Sequence, residues 1–467
     1  MLLAMIAAVL MIVSAHYRGP WLDDFATFRF ADPTVPWAVA WRDLWPTETN
    51  PPLFYAIARE GVAHLGASLG ARRMVNLAPL GFVLIWFSIS MRRHPSQRLF
   101  LALYWLIAAS SFFFVWDFSS YRSYFYQYCV ALVFVGAIAL DELEHRPGVN
   151  WFALAAVALL INLHQVTALY ASAMLLVLIG LDVRRGFWRR AFVFAMTAVI
   201  SAIPLIAFTM IQQSEPASVR ALVTWIHPHG VLTSVGLILG FLPRALGENW
   251  IALCAGAGAI IWVRPQGASA ELLRLLAASA MLGTAMLLVA NHFVPLIVDR
   301  YFAFLTVICA CAIAVAVLPW CARFPLLPWI FFAFAAIYLT AGFIGLLRDQ
   351  RWNSGGDLVA KLAAECPTTR IHAGVLPRNP AEQTGLGYLA AARHLRLLPV
   401  EPDQPGACPM LYWTEYLPPS RLDLARFHGD AVRAANARAN WGLSEEELKH
   451  TTAVRSQNGI VLIVKAH

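Results

Sequence analysis

The sequence predicts an α-helical polytopic membrane protein with a small C-terminal α/β domain. Three observations predict it. Of 467 residues, 59% are hydrophobic and 13% charged, where a soluble domain carries roughly 45–50% and about 25%. The mean hydropathy is +0.61. Long apolar runs fill the chain up to Leu347, after which the composition turns polar with Pro and Gly punctuation. A transmembrane domain is therefore expected over residues 1–347 and an α/β domain over 348–467.

A helix needs about 20 apolar residues to cross the hydrocarbon. Spans are expected near 1–16, 74–91, 98–115, 123–140, 150–163, 166–181, 191–211, 249–263, 272–290, 301–319 and 326–346, about eleven transmembrane helices by the length rule. The N-terminal run has no positive n-region and a poor cleavage site at Ser14-Ala15-His16, so it reads as a retained span. Gly230 to Leu242 is apolar but short, which suits an interfacial or re-entrant segment.

Arginine placement orients the chain. Arg92 and Arg93, the cluster Arg184, Arg185, Arg189 and Arg190, then Arg264 and Arg323 fall in loops of one parity. The positive-inside rule puts those loops in the cytoplasm. The loop 17–73 then faces outside, as does the polar C-terminal region; Arg72 and Arg73 count against this orientation. The net charge of +8 arises from these clusters. No basic face with interleaved aromatics appears, so no nucleic-acid partner is expected.

Within 348–467, Asp357 to Glu365 and Thr384 to Leu395 read as helices, whereas Arg370 to Val375, Met410 to Trp413 and Gly459 to Val464 read as strands. Five cysteines lie in or beside apolar runs and behave as small hydrophobes. Cys366 and Cys408 are the two in the polar stretch, and in an oxidising compartment they are the natural disulfide pair.

Five polar clusters fall on the outside by parity. The first is Trp21-Leu22-Asp23-Asp24-Phe25. Two acids beside a span are costly unless used, although acids at a helix start also complement the macrodipole. The second is Glu48-Thr49-Asn50-Pro51-Pro52-Leu53, where two prolines start a helix and hold Glu48 and Asn50 at a corner. In the third, Tyr121-Arg122-Ser123-Tyr124, an outside Arg122 wants a carboxylate or phosphate partner, Asp117 being a local one. The fourth, Asn162-Leu163-His164-Gln165, places His164 at a helix junction. The last joins Asn291-His292-Phe293 to Asp299-Arg300-Tyr301, where Asp299 and Arg300 also suit a headgroup anchor. Together these groups suit transfer onto a hydroxyl or amine with a phosphate leaving group. A carboxylate takes the acceptor proton, and Arg, with or without a divalent metal, stabilises the departing phosphate.

The order Asp-Asp, Asn-Pro-Pro-Leu, Tyr-Arg-Ser-Tyr, Leu-His and Asp-Arg-Tyr resembles the GT-C glycosyltransferases. It is nearest the branch of protein O-mannosyltransferases, aminoarabinose transferases and bacterial lipopolysaccharide-core transferases. The resemblance implies a GT-C-like fold and an inverting transferase of the bacterial inner membrane. Its site and C-terminal domain would face the periplasm. Its partners would be membrane lipid, a polyprenyl-phosphate sugar donor, and a glycan, lipid or protein acceptor. It implies a general base at Asp23 or Asp24, and substrate contacts from Glu48, Asn50, Arg122, His164 and Arg300. Glu48 and His292 are the candidates for a metal. The chain departs from the family in having Asp as the second acid, and Asn before Pro-Pro where relatives have His or Lys. The alternative is a transporter or flippase of lipid-linked glycans. It would place ionisable groups at mid-membrane on broken helices, but the predicted spans are nearly free of charge.

Overall fold

The computed structural model describes residues 2–48, 50–214, 229–246, 256–260, 265–366, 368–373, 380–398, 408–414, 451–455 and 460–464. The chain forms two compact units. One comprises Met1–His16 and Pro33–Ile344, the other Tyr17–Asp32 and Gly345–His467. The helix carrying Asp23 and Asp24 thus groups with the C-terminal residues.

In chain order the principal helices are α1 (Leu2–Tyr17), α2 (Leu22–Phe30), α3 (Leu53–Leu65), α4 (Leu77–Arg93), α5 (Arg98–Ala109), α6 (Phe112–Asp117), α7 (Tyr124–Leu143) and α8 (Trp151–Leu163). They continue with α9 (Gln165–Arg185), α10 (Trp188–Ser214), α11 (Val231–Ala245), α12 (Gly267–Phe293), α13 (Ala303–Arg323), α14 (Leu327–Arg348), α15 (Arg351–Ala364) and α16 (Pro380–Ala391). Among the described residues, seven helical stretches are long and apolar enough to cross a membrane. They are Leu69–Arg93, Tyr124–Leu143, Gln165–Arg185, Trp188–Gln212, Gly267–Phe293, Ala303–Arg323 and Leu327–Ala364. Three shorter apolar helices lie at Ala8–Tyr17, Trp151–Leu163 and Val231–Leu242. The run expected as one span over 98–115 is two helices, α5 and α6. Ser110 closes the first and Ser111 caps the second, its hydroxyl accepting the Phe114 N–H at 3.1 Å. The span expected near 249–263 lies mostly outside the described residues.

In the membrane unit α7 is buried along its whole length. Close approach is local and specific: a Cβ on Gly136 of α7 would stand 2.3 Å from Trp86 Cη2 of α4. Buried polar groups are matched between helices, as where Thr167 of α9 donates to Gln127 Oε1 of α7 at 2.6 Å. The ends of α7 and α9 and the starts of α10 and α12 meet in an ion-pair network. Arg185 bridges Glu142 (2.6 Å) and Glu271, and Arg190 bridges Glu142 (2.8 Å) and Asp182. Arg72 and Arg73, which oppose the charge trend, have structural work within this unit. Buried Arg73 donates to the Ala15 carbonyl at the end of α1, and Arg72 to the Ala67 carbonyl at 2.9 Å.

In the second unit five strands form one sheet in the order β2-β1-β3-β5-β4. They are β1 (Arg370–Ala373), β2 (Leu397–Leu398), β3 (Met410–Thr414), β4 (Thr451–Arg455) and β5 (Ile460–Val464). β1 is parallel to β2 and β3, with Ile371 opposite Leu397 and Leu411. β5 is antiparallel to β3 and β4. Cys366, just beyond α15, is bonded to Cys408, just before β3, with Cα atoms 5.7 Å apart.

Candidate active site

The membrane unit brings together the candidate groups of four sequence clusters. The loop before α7 is fixed first. The Asn76 amide donates to the carbonyls of Phe118 (2.7 Å) and Ser120 (2.8 Å), and the Tyr121 hydroxyl donates to the Ala58 carbonyl at 3.0 Å. Arg122 is thereby presented to the start of α3. Its Nη1 donates to the Tyr55 hydroxyl oxygen at 3.0 Å and stands 3.7 Å from Glu48 Oε2. Glu48 Oε1 accepts the Asn50 amide at 3.2 Å, and the Gln212 amide donates to the Glu48 carbonyl. Pro51 and Pro52 precede Leu53, the first residue of α3, so the acid and amide sit on the corner where that helix starts.

His164 caps α9. Its Nδ1 accepts the Val166 N–H at 3.2 Å, so the neutral ring carries its proton on Nε2. The ring is buried and lies against Tyr301, with centroids 4.4 Å apart, and near Tyr124 at 6.3 Å. The Arg300 guanidinium covers the faces of Tyr124 (5.8 Å) and Tyr301 (5.9 Å). Burial, then the positive charges of Arg122 and Arg300, push the His164 pKa down to about 3. His164 Nε2 has no hydrogen-bond partner among the described residues. A buried N–H donor left open within the positive field of two guanidiniums suits an oxyanion.

His292 is exposed in the last turn of α12 and packs on Phe293, with ring centroids 5.4 Å apart. Its neighbour Asn291 is structural, its side-chain oxygen accepting the N–H groups of Leu296 (2.8 Å) and Ile297 (3.1 Å). No group of three or more His, Cys, Asp or Glu suited to a metal ion occurs among the described residues. Glu48 faces a guanidinium and an amide donor. Among the described residues, neither Glu48 nor His292 is part of a group of three such ligands.

The two acids lie in the other unit. Asp24 is the third residue of α2, buried, and its carboxylate accepts the Trp21 N–H at 3.0 Å, the reciprocal half of a capping box. Asp23 is half-buried one residue earlier, and its carbonyl accepts the Thr27 hydroxyl at 3.2 Å.

Sequence reasoning gave no role to Tyr55, Tyr124, Tyr301 or Gln212. Three of them stand inside or beside the quoted motifs, but spacing cannot say which aromatic turns to a guanidinium. Gln212 carried no signal.

No family model and no curated protein matches the chain. Solved structures do. ArnT from Cupriavidus metallidurans in the apo state is 14% identical with a TM-score of 0.55, the match covering 99% of this chain and 97% of that one. ArnT from the same organism bound to undecaprenyl phosphate is 15% identical with a TM-score of 0.52 and the same coverage. The chain has a GT-C fold. The match includes residues of both units. At this identity it establishes the fold, and the roles of individual side chains rest on chemistry.

Proposed function

We propose that the protein is a membrane glycosyltransferase that moves a sugar from a polyprenyl-phosphate donor to an extracytoplasmic glycan, lipid or protein acceptor with inversion. The observation that carries the reading is the buried Nε2–H of His164, without a hydrogen-bond partner among the described residues and within the positive field of Arg122 and Arg300. A neutral donor beside two permanent cations stabilises the oxygens of a departing phosphate more than those of the intact donor. ArnT, which shares the fold, has been solved with undecaprenyl phosphate, and that ligand chemistry suits the same cluster here.

In the proposed reaction the acceptor oxygen or nitrogen attacks the anomeric carbon and the carbon–oxygen bond to phosphate breaks. The bonding pair leaves with the lipid phosphate, and the acceptor proton passes to a carboxylate. We assign that carboxylate to Asp23. Asp23 is the first acid of the pair, the position that carries the base in the families this sequence resembles, while the Asp24 carboxylate accepts the Trp21 N–H. The positive-inside trend and the matching sidedness of the five clusters favour a periplasmic site in an inner membrane.

The test is twofold. Undecaprenyl phosphate should bind the purified protein, and Asp23→Asn should retain binding while losing sugar transfer. Wild-type turnover by Asp23→Asn would overturn the assignment of the base. Equal binding of the lipid phosphate by wild type and by a His164→Ala/Arg300→Ala variant would overturn the donor site.

A further inference from the structure

We infer that the C-terminal unit is the positioning scaffold of Asp23, acting through the contact of Gly385 and Tyr388 on α16 with Phe25 on α2; the inference rests on Asp23 being the base. α2 has nine residues, too few to hold a helix in water unaided. Its order must come from packing, and within its unit that packing is supplied by residues more than 300 positions later. Phe25 is fully buried, its ring 5.2 Å from Trp352 of α15 and 5.8 Å from Tyr388 of α16. Phe28 meets Tyr388 edge-on at 5.5 Å. The approach requires glycine at 385: a Cβ there would stand 2.5 Å from Phe25 Cδ2 and 2.7 Å from Trp352 Cζ3.

A second tether holds the entry to α2. The Gly19 N–H donates to the Asp349 carbonyl at 2.8 Å, and buried Arg18 pairs with the Asp349 carboxylate at 3.3 Å. Helix α2 is therefore pinned before its first turn and along one face. Asp23 stands two residues before Phe25, so a displacement of that ring carries the carboxylate with it. A misplacement of about 1 Å is worth on the order of a hundredfold in rate. Gly385 and Tyr388 are positioning residues in this account, since neither touches a reacting atom.

The experiment uses the full chain in detergent and a panel of undecaprenyl-phosphate sugars, followed by release of free lipid phosphate. Gly385→Ala and Tyr388→Ala should lower kcat at least tenfold with the donor KM unchanged, and Tyr388→Phe should restore it. Hydrogen exchange should quicken over Leu22–Phe30 in both impaired variants while α7 keeps its protection, which separates a displaced helix from an unfolded protein. If Asp23→Asn is inactive but Gly385→Ala and Tyr388→Ala both turn over at the wild-type rate, the scaffold role is overturned and the base stands. If Asp23→Asn is active, the base fails and the scaffold role with it.

Discussion

Arg122 and Tyr55, 67 positions apart, are joined by a 3.0 Å hydrogen bond from guanidinium to phenol oxygen. The bond uses one of the five N–H donors of Arg122 and fixes the plane of the fork. Tyr55→Phe should weaken undecaprenyl phosphate binding about fivefold, the worth of about 1 kcal/mol. Arg122→Lys should weaken it further, because an ammonium cannot offer a planar fork to two oxygens. Titration calorimetry checks both; an unchanged Arg122→Lys affinity would show that the fork is not used.

His164 should act as a neutral donor at every accessible pH. Its pKa is depressed to about 3, below the unfolded value of roughly 6.5. Protonation therefore opposes the folded state, and its cost appears only as pH falls through the interval between those values. Between pH 6.5 and 8 binding should show no limb that His164→Ala removes. His164→Ala itself should lower affinity about tenfold, since a hydrogen bond to a charged group is worth about 1.5 kcal/mol or more. A limb near pH 6.5 that vanishes in His164→Ala would show a charged imidazole instead.

Asp24 and Asp23 should separate cleanly. Asp24→Asn keeps an oxygen for the Trp21 N–H and should retain most turnover, whereas Asp24→Ala should cost about 1 kcal/mol of stability in α2 through loss of the cap. Loss of transfer in Asp24→Asn, with folding intact by hydrogen exchange, would move the base by one residue.

Arg190 is buried against Glu142 and Asp182. Arg190→Met leaves two buried carboxylates short of a partner and should destabilise the membrane unit by about 3–5 kcal/mol. Thermal melting in detergent reads the loss. A melting point equal to wild type would show that the network is solvated in the bilayer headgroups.

The Cys366–Cys408 bond closes a loop of sequence separation 42. Loop entropy assigns such a closure about 4 kcal/mol. Reduction should therefore loosen the sheet selectively, with rapid exchange in β1 and β3 and none in α7. Two alkylatable thiols in oxidised, non-reduced protein would refute the bond.

The membrane character and the positions of α7, α9, α12 and α13, to within about five residues, were legible because hydropathy and length are properties of the chain itself. The start of α15 was not. The helix expected from Asp357 begins at Arg351 and includes Gly355 and Gly356, residues of low helix propensity; a Cβ on Gly356 would stand 2.7 Å from Arg393 Cζ. α16 was expected over 384–395 and runs from Pro380 to Ala391, and beyond its end His394 adopts φ 56°, a conformation that favours glycine. β2, two residues long, and β4 carry too little periodicity to be read, and they exist through pairing to distant strands. In the candidate site, Glu48, Arg122, His164 and Arg300 were visible as polar residues in loops of one parity. Their convergence was visible only as shared parity. The attachment of α2 to the C-terminal unit was invisible, since no local signal reports a partner 360 residues away.

The ion-pair network carries a consequence for biogenesis. Glu142 closes α7, and its guanidinium partners Arg185 and Arg190 lie 43 and 48 residues further on. A ribosome delivering this chain exposes α7 to lipid before either cation exists, although the finished helix touches protein throughout. Its apolar sequence thus answers to the insertion step, and Gln127 and Glu142 answer to a later one, when α9 and α10 arrive and enclose it. The charge of Glu142 is met by Arg185 and Arg190 only once α9 and α10 have been made.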